Sequence, residues 1–169
     1  MTGEICNRYL VFELCQGTLA DVINGHYKGA PLPSELEVLH QIADGLDHIH
    51  GKNIIHRHIK PHNILISKDS KMKLSDFGFI GNTKMDAQSV NSVTGIRGTL
   101  NWIAPELYHE SGEHQTIELK EETKESDIFA TGLVFFVFLA KGIHPFGDMT
   151  NPLEIASNIR KNKRINGIL

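Results

Sequence analysis

Cysteine is nearly missing. Cys6 and Cys15 are the only two in 169 residues. They make no disulfide framework, and a reducing, intracellular setting is the natural reading. Basic excess is missing too, since 17 Lys and Arg stand against 20 Asp and Glu, a net charge of -3. That balance gives none of the footprint of a nucleic-acid binder, and no nucleic-acid partner is expected. The longest apolar run, "IFATGLVFFVFLA" at 128–140, covers thirteen residues. A bilayer needs about 20 helical residues, so the run is expected as a helix buried on all sides, with no membrane segment. The start, "MTGEICNRYL", lacks the basic and then apolar order of a signal peptide. The expectation is a soluble, cytoplasmic chain without internal repeats or low-complexity tracts.

What is present is enough for a core: 40% of residues are apolar. "RYLVFEL" (8–14) is rich in β-formers and reads as a buried strand. Thr18 is placed to cap a short helix that Gly25 closes. Ser34 and Glu37 make an S-x-x-E capping box, after which Leu36, Leu39, Ala43, Leu46 and Ile49 recur at helical spacing until Gly51. Apolar pieces at 64–66 and 72–75 flank "SKDSK" as a two-stranded ribbon. Residues 81–97 form a long polar loop, of the kind that carries function, and 109–126 is a charged, solvated insertion. The buried helix stops at "KGIHPFG", and 152–162 suits one more amphipathic helix.

Four motifs follow one another: "HRHIKPHN" (56–63), "DFG" (76–78), "GTLNWIAPE" (98–106) and "SDIFATG" (126–132). Each alone means little; "DFG" alone is a turn more often than not. Their order and spacing match the protein-kinase signature set. With "VFELCQGTLADVI", "KPHNILIS" and "HPFG", the chain resembles the kinase/endoribonuclease sensors of the unfolded-protein response and their relative RNase L.

The resemblance implies an α+β, kinase-like fold, mainly the helical large lobe with a hinge strand and a small β-ribbon. Residues 1–169 are then expected as a partial kinase domain without the small lobe and the end of the large one. Phe12 would be the gatekeeper, Glu13 and Cys15 would meet adenine through their backbone, and Leu65 would lie under the base. ATP or ADP with Mg²⁺ would be the cofactors, with Asn63 and Asp76 holding the metal and Lys60 facing the transferred phosphate. Thr99 would face the same loop, Asp127 would pin its backbone, and Glu106 would seek a later arginine. The parent family faces the cytosol from the endoplasmic reticulum, and a homodimer through the kinase surface is possible on the same ground.

One letter departs from the pattern. His58 stands where the family has the aspartate that orients the substrate hydroxyl and takes its proton. Neutral imidazole can accept a proton, but it brings no negative charge and is bulkier, so catalysis is expected to be impaired. The sequence leaves two classes open: an impaired Ser/Thr kinase, and a non-catalytic pseudokinase that binds nucleotide weakly or acts by dimerisation. An incomplete gene product is a third reading. His48, His50, His56, His58 and His62 crowd fifteen residues, and H-x-H spacing can bind zinc. Helix-end and catalytic-loop roles account for these histidines more simply. Ser89, Ser92 and Thr94 in the long loop are candidate phosphorylation sites that Arg57 could pair with.

Overall fold

A computed structural model describes residues 11–76, 100–110 and 117–166. Three strands form an antiparallel sheet in the order β1 (Gly17–Thr18), β2 (Ile64–Ile66), β3 (Met72–Leu74). Leu65 sits opposite Thr18 on one side and Lys73 on the other. Ile64 and Ile66 alternate to the opposite face and are fully buried. Between β2 and β3 the Ser67 hydroxyl accepts from the Lys71 amide at 3.0 Å, and Ser70 turns the chain at φ 57°. A second antiparallel pair joins β4 (Tyr108–Glu110) to β5 (Ile117–Leu119).

The helices carry most of the core. In α1 (Leu19–Ile23) the Thr18 hydroxyl and the Asp21 carboxylate cap one another's backbone, and Gly25 follows at φ +71°. In α2 (Glu35–Gly51) the Ser34 hydroxyl caps the Glu37 amide, whereas the Glu37 carboxylate accepts from Gln41 instead of closing the box. α3 (Lys124–Leu139) opens on a full capping box between Thr123 and Ser126, and α4 (Pro152–Arg160) on Asn151. α3 ends where Lys141 and Gly142 take positive φ and the Gly142 amide reaches back to the Val137 carbonyl at 2.8 Å. A Cβ on Gly142 would meet Ile23 Cγ2 at 3.5 Å, so the glycine serves backbone conformation more than space. Leu19, Val38, Ile42, Ile64, Ile66, Val134, Val137 and Ile155 form one continuous core. Burying each aliphatic side chain of this kind stabilises by about 1.5–3 kcal/mol over leaving it in water.

The structure is α+β, as the motifs lead one to expect, but several local readings change. Residues 11–14 form no strand, and Phe12 is 80% exposed. No described strand pairs with them, and β-propensity without a ladder or a packed face fixes nothing. Residues 8–10 lie outside the described part. The buried face of α2 is Val38, Ile42, Leu46 and Ile49; Leu36, at 78% exposure, and Ala43 point outward. α3 is not buried on all sides, since Ile128, Gly132 and Leu139 are exposed along one edge. The 109–126 stretch is not simply a solvated insertion. β4 and β5 pair within it, Ser126 is buried, and Glu122 is half-buried.

"HPFG" turns out to be a structural knot. His144 is almost fully buried. Its Nε2 lies 3.0 Å from the Asn101 carbonyl and its Nδ1 accepts from the Phe146 amide at 3.2 Å. That pairing fixes the Nε2–H tautomer, and burial pushes the imidazole down to about 4. Neutral at every ordinary pH, it ties the loop after α3 to the segment around Trp102, whose ring it meets edge-on at 5.6 Å.

Candidate active site

The loop at 56–63 hangs from Asp127. This carboxylate, 2% exposed at the start of α3, accepts the His56 amide at 2.8 Å and the Arg57 amide at 2.9 Å. His50 Nε2, at the end of α2, lies 2.9 Å from the same group. The positive end of the α3 dipole adds to the stabilisation of the charge. Held this way, Arg57 adopts φ +69°, a left-handed conformation that a residue of its size rarely takes unaided. Asp76 sits at φ +65° across from it.

Between these two bends the sequence-predicted residues converge. Asn63 Nδ2 donates to the His58 carbonyl at 2.8 Å and approaches Asp76 Oδ2 at 3.3 Å. The Ser75 amide and hydroxyl both donate to the Asn63 carbonyl, joining β3's exit to the loop. His58 Nδ1 lies 2.8 Å from Asp76 Oδ2. Burial, and then the nearby Lys60 charge, hold the imidazole below its usual value, with Asp76 opposing. Lys60 is half-buried, and desolvation lowers its own value against the pull of Asp76. His58, Lys60, Asn63 and Asp76 thus form one cluster with a neutral imidazole in it.

Glu13, Cys15 and Leu65 lie at the sheet. Leu65 faces Lys73 across the ladder, and Lys73 Nζ meets Glu13 Oε2 at 2.7 Å. The Gln16 amide, next to Cys15, donates to the Ile66 carbonyl at 2.8 Å. Glu106 is exposed. Thr99, residues 77–78 of "DFG" and the loop with Ser89, Ser92 and Thr94 lie outside the described residues. The histidine run is dispersed: His48 and His62 are exposed, His56 is buried, and His50 and His58 each meet an aspartate. Among the described residues no three His, Cys, Asp or Glu side chains group as metal ligands. Asp76 is nevertheless 45% exposed, a carboxylate that suits a hard divalent cation completed by phosphate and water, while Asn63 turns its amide nitrogen toward it and would have to swing its oxygen round to join.

Two members of this region escaped sequence reasoning. His50 finds its partner 77 positions away, and no local pattern marks it. Glu122 lines a small cavity with Arg57, His58, Trp102 and Asp127. Burial pushes its carboxyl up to about 7, with Arg57 opposing and Asp127 reinforcing. The folded protein therefore binds this proton more tightly than the unfolded chain, whose glutamate titrates near 4.5. Native stability should fall as pH rises from about 4.5 to about 7 and then level off. Glu122→Gln removes that slope. The variant is expected to melt higher than the parent at pH 7.5, with the gap closing below pH 5. Parallel melting curves at both pH values would show the carboxyl to be solvated.

Comparison with known proteins bears on the same residues. Residues 3–168 match the protein kinase domain family. Human serine/threonine-protein kinase/endoribonuclease IRE2 is 38% identical over 146 residues, 83% of this chain. The serine/threonine-protein kinase/endoribonuclease IRE1 of Hypocrea jecorina is 34% identical over 186 residues, 90% of this chain. An Aurora kinase of Schizosaccharomyces pombe is 38% identical over 121 residues, 72% of this chain. The chain spans about 15% of the length of the first two and 30% of the third. With the catalytic loop, the aspartate after β3 and the buried anchor of α3 in place, this chain belongs to the protein kinase family and is similar to its kinase/endoribonuclease members.

Proposed function

We propose that this chain is the nucleotide-handling large-lobe part of a Ser/Thr-type kinase module in unfolded-protein signalling, impaired in phosphotransfer by His58. The observation that supports it is the 2.8 Å contact between His58 Nδ1 and Asp76 Oδ2. Protein kinases in general use ATP and Mg²⁺. Asp76 and Asn63 are the residues that would hold the metal, which when bound neutralises phosphate charge. Lys60, close enough to feel Asp76, brings a positive charge for the phosphoryl group. The transition state of phosphoryl transfer is loose, so positioning and charge dominate and the general base adds the smaller share.

A carboxylate at position 58 would align the acceptor hydroxyl and receive its proton. The imidazole instead spends Nδ1 on Asp76 and brings no negative charge. That arrangement favours a module that binds nucleotide more readily than it transfers phosphate.

The binding half of this reading is tested with the 169-residue chain itself. No Gly-rich phosphate loop occurs anywhere in the sequence, so Asp76, Asn63 and Lys60 grip the phosphates from one side only. Calorimetry with Mg²⁺-ADP is expected to give a Kd weaker than about 0.1 mM, less than about 5.5 kcal/mol of binding. Micromolar affinity would mean that the large lobe supplies the grip by itself.

A further inference from the structure

His58 changes the chemistry of the cation site, and not only that of the base. We infer that His58 Nδ1 and Asp76 Oδ2 together form a mixed nitrogen–oxygen site that takes a borderline first-row cation of the Co²⁺ to Zn²⁺ series in preference to Mg²⁺. The inference rests on the nucleotide-handling reading only for the phosphate that would complete the coordination.

Geometry carries the argument. Two donors each about 2.1 Å from a cation and near right angles to one another lie about 3 Å apart. His58 Nδ1 and Asp76 Oδ2 are 2.8 Å apart, so the two donors already stand near the separation of neighbouring ligands, and binding requires both side chains to turn their lone pairs off the line that joins them toward a cation beside it. The replacement of the Nδ1 proton by the cation balances as a change of tautomer: the neutral ring gives its Nδ1 proton to solvent, takes one from solvent at Nε2, and turns the freed Nδ1 lone pair to the metal, with no net proton released. Asn63 stands 3.3 Å from the same oxygen and is held in place by the His58 carbonyl, so a third polar group borders the site.

Asp76 is 45% exposed while His58 is only 14% exposed, so the site opens toward solvent on the carboxylate side. Phosphate oxygen and water can therefore fill the remaining positions. The Lys60 charge nearby disfavours a bare dication and favours one that arrives with phosphate.

Ligand type then decides between metals. Mg²⁺ demands oxygen donors in near-ideal octahedral geometry and keeps its waters. Imidazole suits later first-row ions, whose affinity for nitrogen donors rises along the series to copper. An aspartate at position 58 would present oxygen alone and lose that preference. Among the described residues an exposed competitor is the His40–Asp44 pair on α2, 3.0 Å apart one helical turn from each other. The readout must therefore resolve individual histidines.

The experiment is titration of the chain, labelled with ¹³C-histidine, with Co²⁺ alone and with Co²⁺ plus ADP, against Mg²⁺ in the same two conditions. Hyperfine-shifted His58 ring signals are expected with Co²⁺ and ADP, at a midpoint at least about tenfold below that of Mg²⁺. His144, sealed in the core and unable to ligate, serves as the reference for the through-space part of the shift. His58→Asp should erase the metal preference, and Asp76→Asn should weaken Co²⁺ at this site while leaving shifts at His40 alone. Shifts at His58 with Co²⁺ alone, but no effect of ADP, would support the metal site and count against the nucleotide reading. ADP binding with equal Co²⁺ and Mg²⁺ midpoints and no His58 shift would overturn the metal site and leave the nucleotide reading standing. Unshifted His58 in every condition overturns it as well.

Discussion

His58→Asp is expected to raise autophosphorylation by about 10²-fold or more, the lower range for a positioned general base. The rise should appear only in a chimera that supplies a related small lobe and the later large-lobe helices. Active kinases need a lysine–glutamate pair and the metal-bound aspartate in place together. The 169-residue chain offers Asp76 but no Gly-rich loop, so the same change in it alone should give nothing measurable. The comparison is the rate of the chimera with histidine and with aspartate at position 58, from pH 6 to 8.5. The histidine form should be nearly inactive throughout, because Nδ1 is engaged by Asp76 and no negative charge faces the acceptor hydroxyl. A rate for the histidine form that climbs through about pH 6.5 would show imidazole serving as base. Equal rates for the two forms would end the reading of His58 as the impairing residue.

Asp127→Ala should be the most damaging single change to the fold. One buried carboxylate satisfies the amides of His56 and Arg57 and lies against the His50 ring. Truncation removes this shared acceptor from all three in a largely buried place. Losing one partner of a buried, hydrogen-bonded charge of this kind costs about 3–5 kcal/mol, a large part of a domain's total stability. Urea unfolding followed by circular dichroism should show that loss, with Asp127→Asn intermediate because one amide oxygen can still accept. A loss below about 1 kcal/mol for the alanine variant would mean that the catalytic loop holds its path without the anchor.

The parts of the fold that could be read from the sequence are those specified by neighbours along the chain. β2 and β3 follow from two short, largely apolar pieces around a polar turn, and α1 from Thr18 at its start and Gly25 at its close. α3 was placed by its apolar run, but the run could not say that one edge stays exposed. In α2 the recurring leucines suggested one face, and the packing chose a neighbouring one through Val38 and Ile42. The apolar run at 11–14 looked like a strand because residue type was all there was to judge by, while a strand exists only beside a partner.

Something similar holds for the site. His58, Lys60, Asn63 and Asp76 carried a signature in order and spacing; the structure brings His58, Asn63 and Asp76 into hydrogen-bond contact, with the Lys60 charge acting on them. His50 and Glu122 carried none. Each belongs to the site through a contact with residues dozens of positions away, set by how α2, the catalytic loop and the start of α3 pack together.

Asp127 grips backbone amides, and those are the same whichever side chain a residue carries. The loop from His56 onward therefore keeps its course under a change of letter at position 58, just as a tool holder keeps its aim when the bit is exchanged. An aspartate codon becomes a histidine codon by one base, and in this setting such a step alters reactivity while sparing the scaffold. A lineage can thus exchange aspartate and histidine at position 58 without passing through an unfolded intermediate. The same door stands open in reverse, since nothing in the frame has to be rebuilt for an acid to return.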